Sequence, residues 1–185
     1  GNLFVNVQPF LIHSNEGYFA VAHNGNLVNA DQLRVSLENK GSIFQSTSDT
    51  EVIAHLIRHS KESTDLSQIK DAIKQIIGAF SLVILTQKAL YAVVDEYGFR
   101  PLSLGQMENG SYVIASETCA LDVVGANFIR DIKPGEIVEI SANGLQSELF
   151  AKPNPAKCSM EYLYFAQPNS IIDDVSVYNA RRRMG

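Results

Sequence analysis

The stretch Ala22-His23-Asn24-Gly25-Asn26-Leu27 closes a short apolar run, Tyr18 to Val21, and opens onto a polar segment with helical spacing. An Asn followed directly by Gly brings two kinds of N–H donor to one point of the backbone, the carboxamide of Asn24 and the unhindered main-chain amide of Gly25. Such a pair suits the oxyanion of a tetrahedral acyl-transfer intermediate, where each donor contributes about 3–4 kcal/mol. The same dipeptide also makes tight turns between strands, because both residues tolerate positive φ. By itself Asn24-Gly25 leaves both readings open.

Working outward, Asn29 to Lys40 reads as a helix, with Leu33 and Leu37 four apart and Gly41 at its stop. The polar stretch Gln45-Ser46-Thr47-Ser48-Asp49-Thr50-Glu51-Val52 follows, and Asp49 stands 25 residues beyond Asn24. Ser48 and Glu51 have the Ser-x-x-Glu spacing of a capping box, and Val52, Ile53, Leu56 and Ile57 give the next helix an apolar stripe down to about Ser60. On this reading Asp49 complements the helix dipole.

The two stretches taken together carry a family resemblance. His23-Asn24-Gly25, followed at this distance by Ser48-Asp49-Thr50-Glu51, resembles the glutaminase domain of the class II, N-terminal nucleophile glutamine amidotransferases. Within that group, Asn26-Leu27-Val28-Asn29-Ala30 and Gly41-Ser42-Ile43-Phe44-Gln45 resemble the amidophosphoribosyltransferase family. The likeness runs nearly to the last residue.

The rest of the chain alternates helix and strand signals. Asn2 to Ile12 reads as a strand or extended arm, Gly17 to His23 as a buried strand, and Leu66 to Ile77 as a third helix. Ala79 to Thr86 and Leu90 to Asp95 form an antiparallel hairpin, and Tyr97 to Pro101 a turn. Short strands at Leu102 to Gly105 and Tyr112 to Ser116 precede a short helix, Thr118 to Val124. A last pair, Ile137 to Ile140 and Leu145 to Phe150, turns at Asn143-Gly144. Helices followed by antiparallel pairs indicate an α+β domain. The resemblance goes further and implies a four-layer αββα sandwich of the N-terminal nucleophile hydrolase type, incomplete at its N-terminus. Lys152-Pro153-Asn154-Pro155 marks a connector, so residues 1–152 read as the glutaminase domain and 153–185 as the start of a phosphoribosyltransferase domain.

Composition narrows the function classes. The chain has 185 residues, 45% apolar and 19% charged, as an ordinary globular domain has. A net charge of −5 argues against a nucleic-acid surface, and the single basic run, Arg181-Arg182-Arg183, reads as a solvated helix face. The longest apolar run, Ile76 to Leu85, is half of what a membrane-spanning helix needs. Two Cys residues offer no disulfide framework and agree with a reducing, cytoplasmic compartment.

By resemblance, Asn24 and Gly25 form the oxyanion hole and Asp49 pairs with the α-ammonium of glutamine. The family's nucleophile is an N-terminal Cys whose α-amine is the base. Gly1 cannot serve, so the resemblance implies a nucleophile upstream of residue 1. Cys119, in Ser116-Glu117-Thr118-Cys119-Ala120, reads as a buried structural thiol rather than a substitute. His55 and His59, four apart, lack a third ligand and read as packed or surface side chains. His23 reads as orienting the strand end. Cys158, in Cys158-Ser159-Met160-Glu161-Tyr162, matches a position that in some family members ligates a [4Fe-4S] cluster. The phosphoribosyltransferase part, with Mg²⁺ and 5-phosphoribosyl diphosphate, is implied outside this sequence, as is a homo-oligomer of the intact enzyme. The weaker alternatives are another class II amidotransferase, of the glucosamine-6-phosphate synthase type, and a noncatalytic glutamine-binding module. Val177-Tyr178-Asn179-Ala180-Arg181 and the Cys158 segment argue against the first, and the absent nucleophile favours the second.

Overall fold

The computed structural model describes residues 4–14 and 17–184. Its largest element is a six-stranded antiparallel sheet in the order β1-β2-β3-β4-β8-β9. The strands are β1 (Phe10–Ser14), β2 (Gly17–Leu27), β3 (Gly78–Leu85), β4 (Ala89–Val94), β8 (Glu136–Ser141) and β9 (Gly144–Leu149). A second sheet, in the order β6-β5-β7, joins β5 (Ser103–Gln106), β6 (Tyr112–Ala115) and β7 (Asn127–Asp131).

Alternation along the strands builds two cores from one sheet. Phe80, Leu82 and Ile84 of β3, with Tyr91 and Val93 of β4, are buried together with helices α1 (Ala30–Glu38), α2 (Asp49–His59) and α3 (Asp65–Ile73). Val83, Ala92, Val94 and Val138 face the other way, and they pack with Leu102, Ile114 and Ile132 of the small-sheet layer. Period-two side chains on strands buried on both faces require two covering layers. Helix α4 (Thr118–Val123) covers the outer face of the small sheet: a Cβ on Gly105 would lie 2.9 Å from the Leu121 side chain. The layers are therefore helix, sheet, sheet, helix, the αββα order that the resemblance implies. Each fully buried Leu or Ile at these interfaces contributes about 1.5–3 kcal/mol.

The C-terminal stretch forms a small satellite. After the connector, a π-helical turn (Glu161–Phe165), the hairpin β10 (Ile171–Ile172) and β11 (Val175–Ser176), and helix α5 (Val177–Met184) enclose Ala166, Ile172 and Val177. Carboxylates and one hydroxyl of the main body anchor it. Glu117 accepts from Gln167 N and Ser170 Oγ, Thr118 Oγ1 from Ile171 N, and Asp131 from Asp173 N.

Several elements differ from what local sequence indicates. Phe4–Asn6 is a 3-10 turn rather than part of a strand, and Asn2 and Leu3 lie outside the described residues. Strand β2 runs through Asn24-Gly25-Asn26 to Leu27, because β3 pairs with it along that whole length. Asn24-Gly25 is therefore not a turn. Helix α3 stops at Ile73. Strand β7, which local sequence does not indicate, exists through its pairing with β5. Ser48 caps α2, accepting from Thr50 N at 3.2 Å, but Glu51 does not close a capping box. Its carboxylate instead accepts from Gln45 N, Ser46 N and Ser46 Oγ.

Candidate active site

The direction of successive N–H groups on β2 defines the site. In a strand these groups point alternately to opposite edges. The His23 N–H bonds to the Gln8 side chain, on the β1 edge, and the Leu27 N–H bonds to Asp49 Oδ2 at 3.1 Å. Gly25, midway between them, shares their edge. Its opposite strand neighbour, Phe80, has both backbone groups engaged by Asp95, through Phe80 N to Asp95 Oδ2 at 3.0 Å and Asp95 N to Phe80 O at 3.0 Å. The Gly25 N–H thus projects between two side-chain caps into an open cleft of about 490 Å³. Asn6, Gln8, Gly25, Asn26, Thr47 and Asp49 border it.

Only glycine fits position 25. Its φ is +151°, and a Cβ there would stand 2.0 Å from the Ala79 carbonyl oxygen and 2.8 Å from His23 Nε2. Asn24, the preceding residue, is exposed and opens onto a second cleft of about 250 Å³, on the far side of the strand, with Arg100, Glu117, Glu161 and Phe165. Gly25 therefore borders the first cleft and Asn24 the second. Arg100 borders that second cleft, pairing with Glu161 at 2.5 Å and lying over the Phe165 ring, 4.7 Å from its centroid.

Asp49 opens α2 on the opposite wall of the first cleft. Burial opposes its ionisation, but the hydrogen bond and charge of His23 and the N–H groups of Leu27 and Thr50 outweigh it. Its carboxyl therefore lies below the ordinary Asp value. His23 Nδ1 is 3.4 Å from Asp49 Oδ1 and 3.5 Å from Thr50 Oγ1. Its Nε2 is buried beside Gly25, with no hydrogen-bond partner among the described residues.

Residues that local sequence does not single out hold the loop before Asp49. The Arg34 guanidinium donates to Ser46 O and Ser48 O, both at 3.0 Å, and lies 4.1 Å from the Phe44 ring centroid. Glu51 holds the same loop from the other side through its three acceptor contacts. In sequence Arg34 is one polar residue of an amphipathic helix, and nothing in the spacing ties it to residues 46 and 48.

The remaining candidates lie apart. Cys119 is half-buried on α4 with its Sγ 3.8 Å from Glu117 Oε2, and it borders neither cleft. His55 sits 3.9 Å from Glu51 with its ring tilted against Phe44, centroids 4.5 Å apart, whereas His59 bonds to Ser42 Oγ. Cys158 borders a small cavity of about 30 Å³ with Arg100, Asp131, Tyr162 and Asp173. Burial and the Asp173 charge push the Tyr162 phenol up to about 12. Among the described residues no group of three or more His, Cys, Asp or Glu side chains is placed to hold a metal. The two cysteines of this sequence do not supply a four-thiolate cluster, so Cys158 fits one only with ligands from outside it.

Comparison with known proteins gives the family and the fold. Residues 3–123 match the family described as "Glutamine amidotransferase domain". The chain is 50% identical to the amidophosphoribosyltransferase of Bacillus subtilis (strain 168) over 187 aligned positions, covering all of this chain and 39% of that protein. It is 50% identical to the chloroplastic amidophosphoribosyltransferase of Vigna aconitifolia, covering 98% of this chain and 37% of that one. The solved glutamine phosphoribosylpyrophosphate amidotransferase of B. subtilis, complexed with ADP and GMP, superposes with a TM-score of 0.95 at 49% identity, over 100% of this chain and 41% of that one. The chain thus spans about two-fifths of the length of these relatives. Its fold is that of their N-terminal nucleophile glutaminase domain, and the chain belongs to the glutamine amidotransferase domain family.

Proposed function

We propose that this chain is the glutamine-hydrolysing part of an amidophosphoribosyltransferase. The complete enzyme releases ammonia from glutamine and transfers it to 5-phosphoribosyl diphosphate, the first step of de novo purine biosynthesis. The observation that carries the reading is the Gly25 N–H, held between two side-chain-capped neighbours and facing a cleft whose other wall bears an ionised carboxylate. In that role the Gly25 amide and the Asn24 carboxamide stabilise the oxyanion, and Asp49 takes the α-ammonium group of glutamine. A charged partner for the ammonium discriminates glutamine from amides that lack it.

The nucleophile in this reading is an N-terminal Cys thiol outside this sequence, with the carboxylate-binding groups near it. We place the domain edge at 152/153, where the connector leaves β9 and the satellite begins. The substrate 5-phosphoribosyl diphosphate, Mg²⁺ and the subunit contacts of a homo-oligomer belong to a part beyond that edge. Cys158 is a ligand of a [4Fe-4S] cluster if that part brings three thiolates to it. A cytoplasmic setting suits the two free thiols. No helix of the described residues is long and apolar enough to cross a membrane.

A glutaminase assay tests the reading. The 185-residue chain is compared with the complete polypeptide that carries it and with the Asn24→Ala variant of that polypeptide. The complete protein hydrolyses glutamine, the short chain does not, and Asn24→Ala lowers kcat about 10²- to 10³-fold with an unchanged circular-dichroism spectrum. Full activity in Asn24→Ala overturns the oxyanion role, and hydrolysis by the short chain returns attention to Cys119.

A further inference from the structure

Strand β1 pairs with β2 from Ser14↔Gly17 to Phe10↔Val21. Carried two residues further, that register sets Gln8 opposite His23. Pro9 stands between, with no N–H to give, and the ladder stops. The side chain of Gln8 takes over from its backbone: Oε1 accepts the His23 N–H at 2.5 Å, and Nε2 donates to the His23 carbonyl at 3.0 Å. One carboxamide supplies the acceptor and donor that the peptide of a neighbouring strand would supply. Two residues earlier, Asn6 repeats the device on the facing wall. Its Oδ1 accepts the Thr47 N–H at 3.2 Å, and its Nδ2 donates to Thr47 Oγ1 at 3.0 Å. A single short segment thereby holds both the strand that carries Asn24-Gly25 and the loop that leads into Asp49.

We propose that Gln8 and Asn6 are positioning residues with separable effects. Gln8 caps the free edge of β2 at His23 and no further, which leaves the Gly25 N–H facing the cleft. Asn6 fixes how far the Asp49 loop stands from that N–H. The inference rests on the oxyanion and ammonium roles proposed above. Gln8 acts through a donor needed most in the transition state, so its loss falls on kcat. Asn6 acts through a group that binds the substrate from the start, so its loss falls on KM.

The test is steady-state glutamine hydrolysis by the complete polypeptide. Gln8→Leu lowers kcat about 10- to 100-fold with KM within about threefold, and Asn6→Leu raises KM about tenfold with kcat within about threefold. Gln8→Glu adds a signature that simple loosening of the fold does not produce. A carboxylate can accept the His23 N–H but cannot donate to the His23 carbonyl, whereas a protonated carboxyl does both. The ratio of Gln8→Glu to wild-type kcat therefore rises as pH falls from about 8 to about 5. Asp49 and Asp31, which border this cleft, and the buried His23 beside Asp49 are common to both proteins. If Gln8→Leu does not fold, the Gln8→Glu ratio decides alone. Wild-type kcat in a folded Gln8→Leu, or a Gln8→Glu ratio that is flat with pH, overturns the inference. Asn24→Ala and Asp49→Asn are run beside these variants. Impairment in those two with normal Gln8 and Asn6 variants removes the positioning inference alone; normal kinetics in those two removes the functional reading beneath it.

Discussion

Two aspartates cap the backbone of neighbouring strands and have opposite characters. Asp49 caps Leu27 at the cleft end of β2; Asp95 caps Phe80 at the end of β3 and also accepts from Tyr97 N at 2.9 Å and Gly98 N at 3.0 Å. Asp95 is only 1% exposed, and its acceptors are taken up by the turn that follows β4. The Asp49 side chain is 23% exposed, one face held by Leu27 and His23 and the other turned to the cleft. A carboxylate whose lone pairs are all engaged internally is architecture. One with acceptor capacity left toward a cleft is available to a ligand.

The largest effect follows from Asp95. Replacing it by Ala leaves at least three backbone donors without their acceptor, at about 1 kcal/mol or more each, so Asp95→Ala destabilises the fold by about 3 kcal/mol or more. Chemical denaturation of the complete protein measures this, and the kcat of the fraction that stays folded is unchanged. Asp49→Asn does the reverse. It raises the KM for glutamine about 10- to 100-fold, about 1.4–2.7 kcal/mol, while the denaturation midpoint moves little. Equal losses of stability in both variants would erase the distinction between them.

Acid titration sharpens the same contrast, because the two shifts have opposite sign. Burial raises Asp95 above its ordinary 3.8, and the N–H groups of Phe80, Tyr97, Phe99 and Gly98 offset this only in part. Its folded-state pKa exceeds the unfolded one, so its contribution to stability is full below 3.8 and is lost as pH rises through the raised value. Asp49 lies below its ordinary 3.8, so its contribution is present above 3.8 and is lost as pH falls through the lowered value. Carboxyl-carbon NMR should show Asp49 titrating below 3.8 and Asp95 above it. Titration in the other order would contradict the assigned environments.

These two carboxylates also mark what the sequence can and cannot disclose. Asp49 is legible because it begins an amphipathic helix and stands at a family spacing from Asn24-Gly25. Asp95 is not, since one Asp at the end of an apolar strand reads as the start of any turn. The strand and helix layers follow from periodicity in β3, β4 and α2, where the apolar residues alternate or recur every three to four positions. Propensity ends β2 at His23, because Asn-Gly-Asn has turn composition. Long-range pairing with Ala79, Phe80 and Ser81 carries it to Leu27. Strand β7 is mostly exposed and has little alternation, so only its partner β5 defines it. Gln8 and Arg34 stay hidden for the same reason: their partners are distant backbone atoms, and backbone atoms have no sequence signature.

The smallest effect separates two ways of starting a helix. The Ser48-x-x-Glu51 spacing predicts a reciprocal capping box on α2, yet the box with both reciprocal bonds stands on α3, between Thr64 and Ser67. On α2 the two residues have parted company. Ser48 caps Thr50 N, and Glu51 reaches back to the loop as an acceptor for Gln45 and Ser46. Ser48→Ala then removes one half-buried cap and costs about 1 kcal/mol. Glu51→Gln swaps one of two buried acceptor oxygens for a donor facing N–H or O–H groups and costs about twice as much, since hydrogen bonds to a charged group are the stronger kind. It also loosens the loop before Asp49, so it raises the KM for glutamine, whereas Ser48→Ala leaves KM nearly unchanged. Thermal melts and glutamine kinetics on the two variants distinguish the arrangements. Equal stability losses with no change in KM would restore the capping box and detach Glu51 from the site.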